Sequence, residues 1–139
     1  MLIVQFALGC LLIGLTVIVH GLILDRFILA MNRNKQRLIP NIERISTKSF
    51  LMVATVLVVF LSHIIQIWIW AGFYLAFDIL PDLESALYFS TSAFTTVGFG
   101  DVYLDQDWRL ISSFEAANGF ILFGWSTAFI FEVMNRAYK

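Results

Sequence analysis

The residues Thr95-Thr96-Val97-Gly98-Phe99-Gly100-Asp101 are the ones whose types and spacing could do chemistry. Gly98 and Gly100 stand one residue apart, and glycine takes left-handed backbone angles at little steric cost. Such an alternation lets successive carbonyls turn toward one side. A stack of carbonyls can replace the water shell of a metal cation if the oxygens sit at matched distances. The intervening Val97 and Phe99 are then free to point outward and pack. Asp101 closes the stretch with a carboxylate that either braces the loop through a hydrogen bond or adds negative charge to its mouth. Chemistry of other kinds has no comparable residues. There is no nucleophile–base pair, metal cluster or phosphate-binding loop, so an enzyme is not expected. Two histidines, His20 and His63, do not make a metal site, and the single Cys10 cannot form an intrachain disulfide.

Such a stretch needs elements to hold it, and the composition says what kind. The 139 residues are 60% hydrophobic and 14% charged, against about 25% charged in ordinary soluble domains. A short chain with this excess is expected to be an all-α membrane protein. The net charge of −1 gives no reason to expect nucleic acid. Leu2–Leu24 is an apolar run of roughly 35 Å as a helix, enough for a bilayer core of about 30 Å. It lacks the basic start and the cleavage site of a secretory signal and is expected to be retained. Residues 25–48 form a basic segment holding Arg26, Arg33, Lys35, Arg37, Arg44 and Lys48, six of the nine Lys and Arg residues. It is expected to be a cytoplasmic loop, with Pro40 breaking any helix through it. Ile42, Ile45 and Phe50 allow a short interfacial helix, with a solvated linker as the alternative. Phe50–Phe77 is the second span. Ser62, His63 and Gln66 lie within it as interhelical hydrogen bonders, and Trp68, Trp70, Phe73 and Tyr74 near its end suggest an aromatic belt. Leu83–Phe94 is too short to cross and suits a re-entrant helix, with Asp82 as its cap. Leu110–Met134 is the last span. Residues 78–107 carry six acids and no base, so the charge pattern places the N-terminus outside and the C-terminus in the cytoplasm, with the chain multi-pass in the plasma membrane.

With a short helix before it and a span on either side, the motif resembles the selectivity filter of potassium channels, and the resemblance extends from Phe50 to Met134. It implies a fold of three transmembrane helices, a re-entrant pore helix and a filter loop, assembled as a homotetramer in the lipid bilayer. It divides the chain into an extra N-terminal helix (1–24), a basic cytoplasmic loop (25–48) and a pore domain (49–139). The resemblance further implies that potassium ions bind the carbonyls of Thr96, Val97, Gly98 and Phe99 with the Thr96 hydroxyl. Gly100 completes the strand, and Thr95, Asp101, Tyr88 and Phe89 support it. No organic cofactor is implied. Phe99 stands where the commonest members carry Tyr, and the missing hydroxyl is expected to leave the filter less rigid, prone to inactivation or to sodium leak. A weakly selective cation channel on the same scaffold and a subunit of a potassium transporter are the alternatives.

Counting on from Trp108-Arg109-Leu110, Gly119 falls at the family's hinge position. Close packing is the competing role for that glycine, and Gly124 is a second hinge candidate. Steps of four from Gly119 reach Phe123, Thr127 and Phe131, a face that would line the cavity and close it at Phe131, unless these phenylalanines merely meet lipid. Glu115 could back the pore helix or filter, and Glu132 is expected to be solvated. No helix carries regularly spaced Arg or Lys, so no voltage sensor of the usual kind is expected. Gating is left to the membrane, the filter, pH or a separate regulatory partner.

Overall fold

The computed structural model describes residues 2–42 and 45–138, with side chains described at 2–33 and 47–138. Four helices follow one another: α1 (Leu2–Ile42), α2 (Ile45–Ala76), α3 (Leu83–Phe94) and α4 (Arg109–Tyr138). The described residues contain no strand. Three of the helices are long and apolar enough to cross a membrane, over Leu2–Arg33, Thr47–Ala76 and Arg109–Tyr138. The fold is thus all-α, with three spans and one short helix held between the last two.

The basic segment differs from expectation. Residues 25–42 continue α1 as helix, and Pro40 lies in its last turn without ending it. As far as Met31 the reason is an apolar stripe that the charges obscure. Leu24, Phe27, Ile28 and Met31 recur at helical spacing and pack with Val59 of α2 and with Phe129 and Val133 of α4. How Ile42 and Ile45 pack lies outside the described residues, whereas α2 runs unbroken from Ile45.

Hydrocarbon tails are as apolar as leucine, so packing and interhelical hydrogen bonds hold spans together more than the hydrophobic effect does. α1 uses both. Gln5, Leu12, Thr16, His20 and Leu24 form one buried stripe along it. Asn118 Nδ2 of α4 donates to Thr16 Oγ1 at 2.7 Å. His20 meets Ser62 of α2 at 2.8 Å through Nδ1 and Ser126 of α4 at 3.2 Å through Nε2. Ser126 also meets His63 Nε2 at 3.0 Å, and the two imidazoles stack 5.3 Å apart. Gln66 Nε2 donates to Ser62 Oγ on its own helix at 3.2 Å and lies 3.4 Å from His20 Nδ1 of α1. His63 and Gln66 therefore act as bonding groups among helices. Gly9 lets α1 lie against the Phe114 ring, 2.7 Å from where a Cβ would stand, whereas Gly14 has no neighbour within 4 Å.

The main core lies toward the α3 end of the bundle. Trp70 and Tyr74 are fully buried there and Phe73 nearly so, with Phe89, Phe94, Ile111 and Leu122. Three of the four residues expected in an interfacial belt are thus core, and only Trp68 is exposed. They wall in α3, which starts at Asp82: this cap has extended angles and accepts from the Ser85 N–H at 2.9 Å.

Candidate functional site

α3 hands the chain over to an irregular strand. Thr95 caps the helix with its N–H on Thr91 C=O at 3.1 Å, and its hydroxyl donates to the same carbonyl at 2.7 Å. The Thr96 N–H then closes on Ala93 C=O at 2.9 Å, with Thr96 at φ 62°. Gly98 follows at φ 58° and Gly100 at φ 75°, while Val97 and Phe99 stay at negative φ. Three left-handed residues alternate with two that are not. Glycine meets that demand at 98 and 100. Thr96 adopts it at a cost of roughly 1–2 kcal/mol, strain of the kind that collects at functional sites.

Ser92, in the last turn of α3, fixes the strand in two places. Its carbonyl accepts the Gly98 N–H at 3.2 Å, and its hydroxyl accepts the Phe99 N–H at 3.1 Å. The described residues have no cis peptide, and a trans peptide sets its C=O opposite its N–H. With the Gly98 and Phe99 amides turned back toward α3, the carbonyls of Val97 and Gly98 face away from it. Residues 96–100 are exposed on the single chain, Val97 at 57% and Phe99 at 67% despite their apolar side chains.

The outer end is tied as well. Tyr88 donates its hydroxyl to Asp101 Oδ2 at 2.7 Å, and the Val102 N–H bonds Oδ1 at 3.1 Å. The Tyr88 hydroxyl holds the Asp101 carboxyl below its usual pKa of 3.8. Between these anchors the Phe99 ring stacks on Tyr88, centroids 6.1 Å apart and planes 15° apart. The structure thus brings Tyr88, Phe99 and Asp101 together. Phe89 lies elsewhere, buried in the core against Tyr74 at 5.3 Å. Ser92 escaped sequence reasoning: a serine in a helix carries no sign that a loop will fold back onto it from seven residues ahead.

Behind α3, Glu115 of α4 is fully buried. Tyr74 donates to its Oε2 at 2.6 Å, Ser90 meets its Oε1, and Ser90 Oγ also lies 3.0 Å from Ile67 C=O. The carboxyl therefore backs α3. Glu132 sits on the surface in a half-exposed pair with Arg136, an arrangement worth little to stability.

The four residues expected to share one face of α4 divide. Gly119 is buried against α3, where a Cβ would overlap the Phe94 carbonyl. Phe123 is half-buried against His63 and Phe94, at centroid distances of 4.8 and 5.6 Å. Thr127 and Phe131 are exposed. The reason is geometric: at 3.6 residues per turn, each step of four drifts about 40° around the helix. The free strip of α4 runs instead through Ser113, Ala117, Phe120, Gly124, Thr127 and Phe131, every one exposed.

A short helix feeding a left-handed, main-chain-lined strand between two spans is the arrangement of a channel pore. Residues 50–136, well over half of the chain, match the family described as "Ion channel". The chain belongs to that ion-channel family and is a multi-pass membrane protein. The match takes in most of α2, all of α3 and the strand after it, and nearly all of α4, and leaves α1 outside. Neither the curated proteins nor the solved structures gave a significant match.

Proposed function

We propose that this ion channel is potassium-selective and conducts through a homotetrameric pore, residues 96–100 of each subunit forming the filter. Four strands around one axis would surround each dehydrated ion with the carbonyls of Thr96, Val97, Gly98 and Phe99 and the Thr96 hydroxyl. The observation that carries this reading is the pair of bonds to Ser92, which turns the Val97 and Gly98 carbonyls away from the pore helix. The exposed Val97 and Phe99 side chains then belong against neighbouring subunits. Gly124, Thr127 and Phe131 fall on the strip of α4 free to face the cavity, with Phe131 as its inner constriction. Asp101, Asp105 and Asp107 concentrate cations at the outer mouth, an effect that weakens as salt rises. The basic residues 26–48 lie on the cytoplasmic side of the plasma membrane, and the N-terminus lies outside. Potassium is the cargo, and no organic cofactor takes part.

Purified protein in planar bilayers under bi-ionic gradients tests this directly. A reversal potential set by potassium is expected. A conductance indifferent to potassium and sodium would leave only the weakly selective reading, which one observation favours: Phe99 is held by ring stacking without a side-chain hydrogen bond. Absence of any cation conductance would defeat both.

A further inference from the structure

Glu115 is the one buried carboxyl among the described residues, and its partners are Tyr74 and Ser90, not residues 96–100. No cation compensates it: among the described residues the single salt bridge is Arg136–Glu132. An unpaired buried charge is far more costly than a hydrogen-bonded neutral group. The surrounding hydrogens can be counted. Tyr74 has one and directs it to Oε2. Ser90 has one, yet its oxygen lies within bonding distance of two acceptors, Ile67 C=O and Glu115 Oε1. If the carboxyl is ionised, two hydrogens face three contacts and one contact sets oxygen against oxygen. If Oε1 carries a hydrogen, every contact is made: Glu115 donates to Ser90, Ser90 to Ile67 C=O, and Tyr74 to Oε2.

We infer that Glu115 is a positioning residue for ion selection, working as a neutral acid that closes a hydrogen-bonded link from α2 through α3 to α4. Ser90 and Ser92 lie two residues apart on α3, on nearly opposite sides. Glu115 holds the back of the pore helix through Ser90, and the front of that helix holds the filter amides through Ser92. The role in selection rests on the proposed potassium filter.

The test compares Glu115→Gln with Glu115→Ala. The glutamine amide can donate to Ser90 while its oxygen accepts from Tyr74, so Glu115→Gln is expected to keep the potassium-to-sodium permeability ratio within about twofold. Glu115→Ala orphans the Tyr74 hydroxyl and removes the donor to Ser90, and the ratio is expected to fall roughly tenfold. A glutamine variant as impaired as the alanine variant would overturn the inference, as would an alanine variant with unchanged selectivity. Infrared difference spectra of folded wild type and Glu115→Gln at neutral pH decide the point even if the alanine variant fails to assemble. A carboxylic-acid carbonyl band absent from the glutamine variant is expected, and a carboxylate band in its place refutes the neutral acid. A wild-type channel without potassium preference would sink the filter reading alone, and the infrared result would still decide how Glu115 is bound.

Discussion

Replacing Ser92 by alanine removes one hydrogen bond of the proposed filter and leaves its neighbour in place. The Gly98 N–H bonds the Ser92 main-chain carbonyl and survives, whereas the Phe99 N–H bonds the hydroxyl and is orphaned. Alanine is also the better helix former, so α3 itself is not weakened. A bond of this kind is worth about 1 kcal/mol net, roughly a fivefold shift per subunit in the balance between a fixed and a rotated Gly98–Phe99 peptide. In the proposed tetramer four independent copies sum to about 4 kcal/mol, or nearly a thousandfold for a filter that needs all four strands set. In linked tetramers carrying one to four Ser92→Ala copies, the current-decay rate is expected to rise in even logarithmic steps, with a parallel loss of potassium preference. Ser92→Thr keeps the hydroxyl and should resemble wild type. Identical decay and reversal potential with four alanines would refute the claim that this hydroxyl sets the peptide.

Other expectations follow from the same geometry. The Tyr88 bond lowers the Asp101 pKa, so its contribution is complete above the ordinary carboxylate pKa and is lost as pH falls through the lowered value. Tyr88→Phe should move acid-induced inactivation to higher external pH, and an unmoved midpoint in a pH series of currents would count against the brace. Gly119→Ala forces a methyl onto the Phe94 carbonyl, an overpacking of about 1–3 kcal/mol per subunit that should lower the thermal dissociation temperature in detergent. Gly124→Ala meets nothing within 4 Å and should assemble normally while stiffening α4 by about 1 kcal/mol, so slowed gating there would locate the bend. Phe131→Ala should raise basal open probability, and an unchanged closed time in single-channel records would exclude a constriction at that ring.

Much of this was legible because local signals and global fold agree. The cap at Asp82, the twelve-residue length of α3 and the paired glycines each state their role within a few residues. What escaped depends on partners far along the chain. Tyr74 and Trp70 read as interfacial because composition cannot distinguish a lipid headgroup region from the back of a pore helix. The stripe from Leu24 to Met31 was hidden by Asp25 and Arg26, which point away from it and are exposed. His20 and Ser126 are 106 residues apart, and nothing local to either announces the other. The role of Gly119 was open between bending and close approach, and the nearness of the Phe94 carbonyl gives the close approach a partner that the sequence does not name.

α1 lies outside the matched region, yet its stripe covers polar groups that the other helices would otherwise offer to acyl chains. A pore trimmed to residues 50–136 would orphan the Asn118 amide, whose partner is Thr16, and would strip the His20 imidazole from Ser62 and Ser126, leaving them only Gln66 and His63. In hydrocarbon an orphaned amide and two half-bonded hydroxyls seek new company, so the trimmed protein should mispair or drag water into the bilayer. The first helix is thus wall as much as appendage, and the matched region is not a detachable module here.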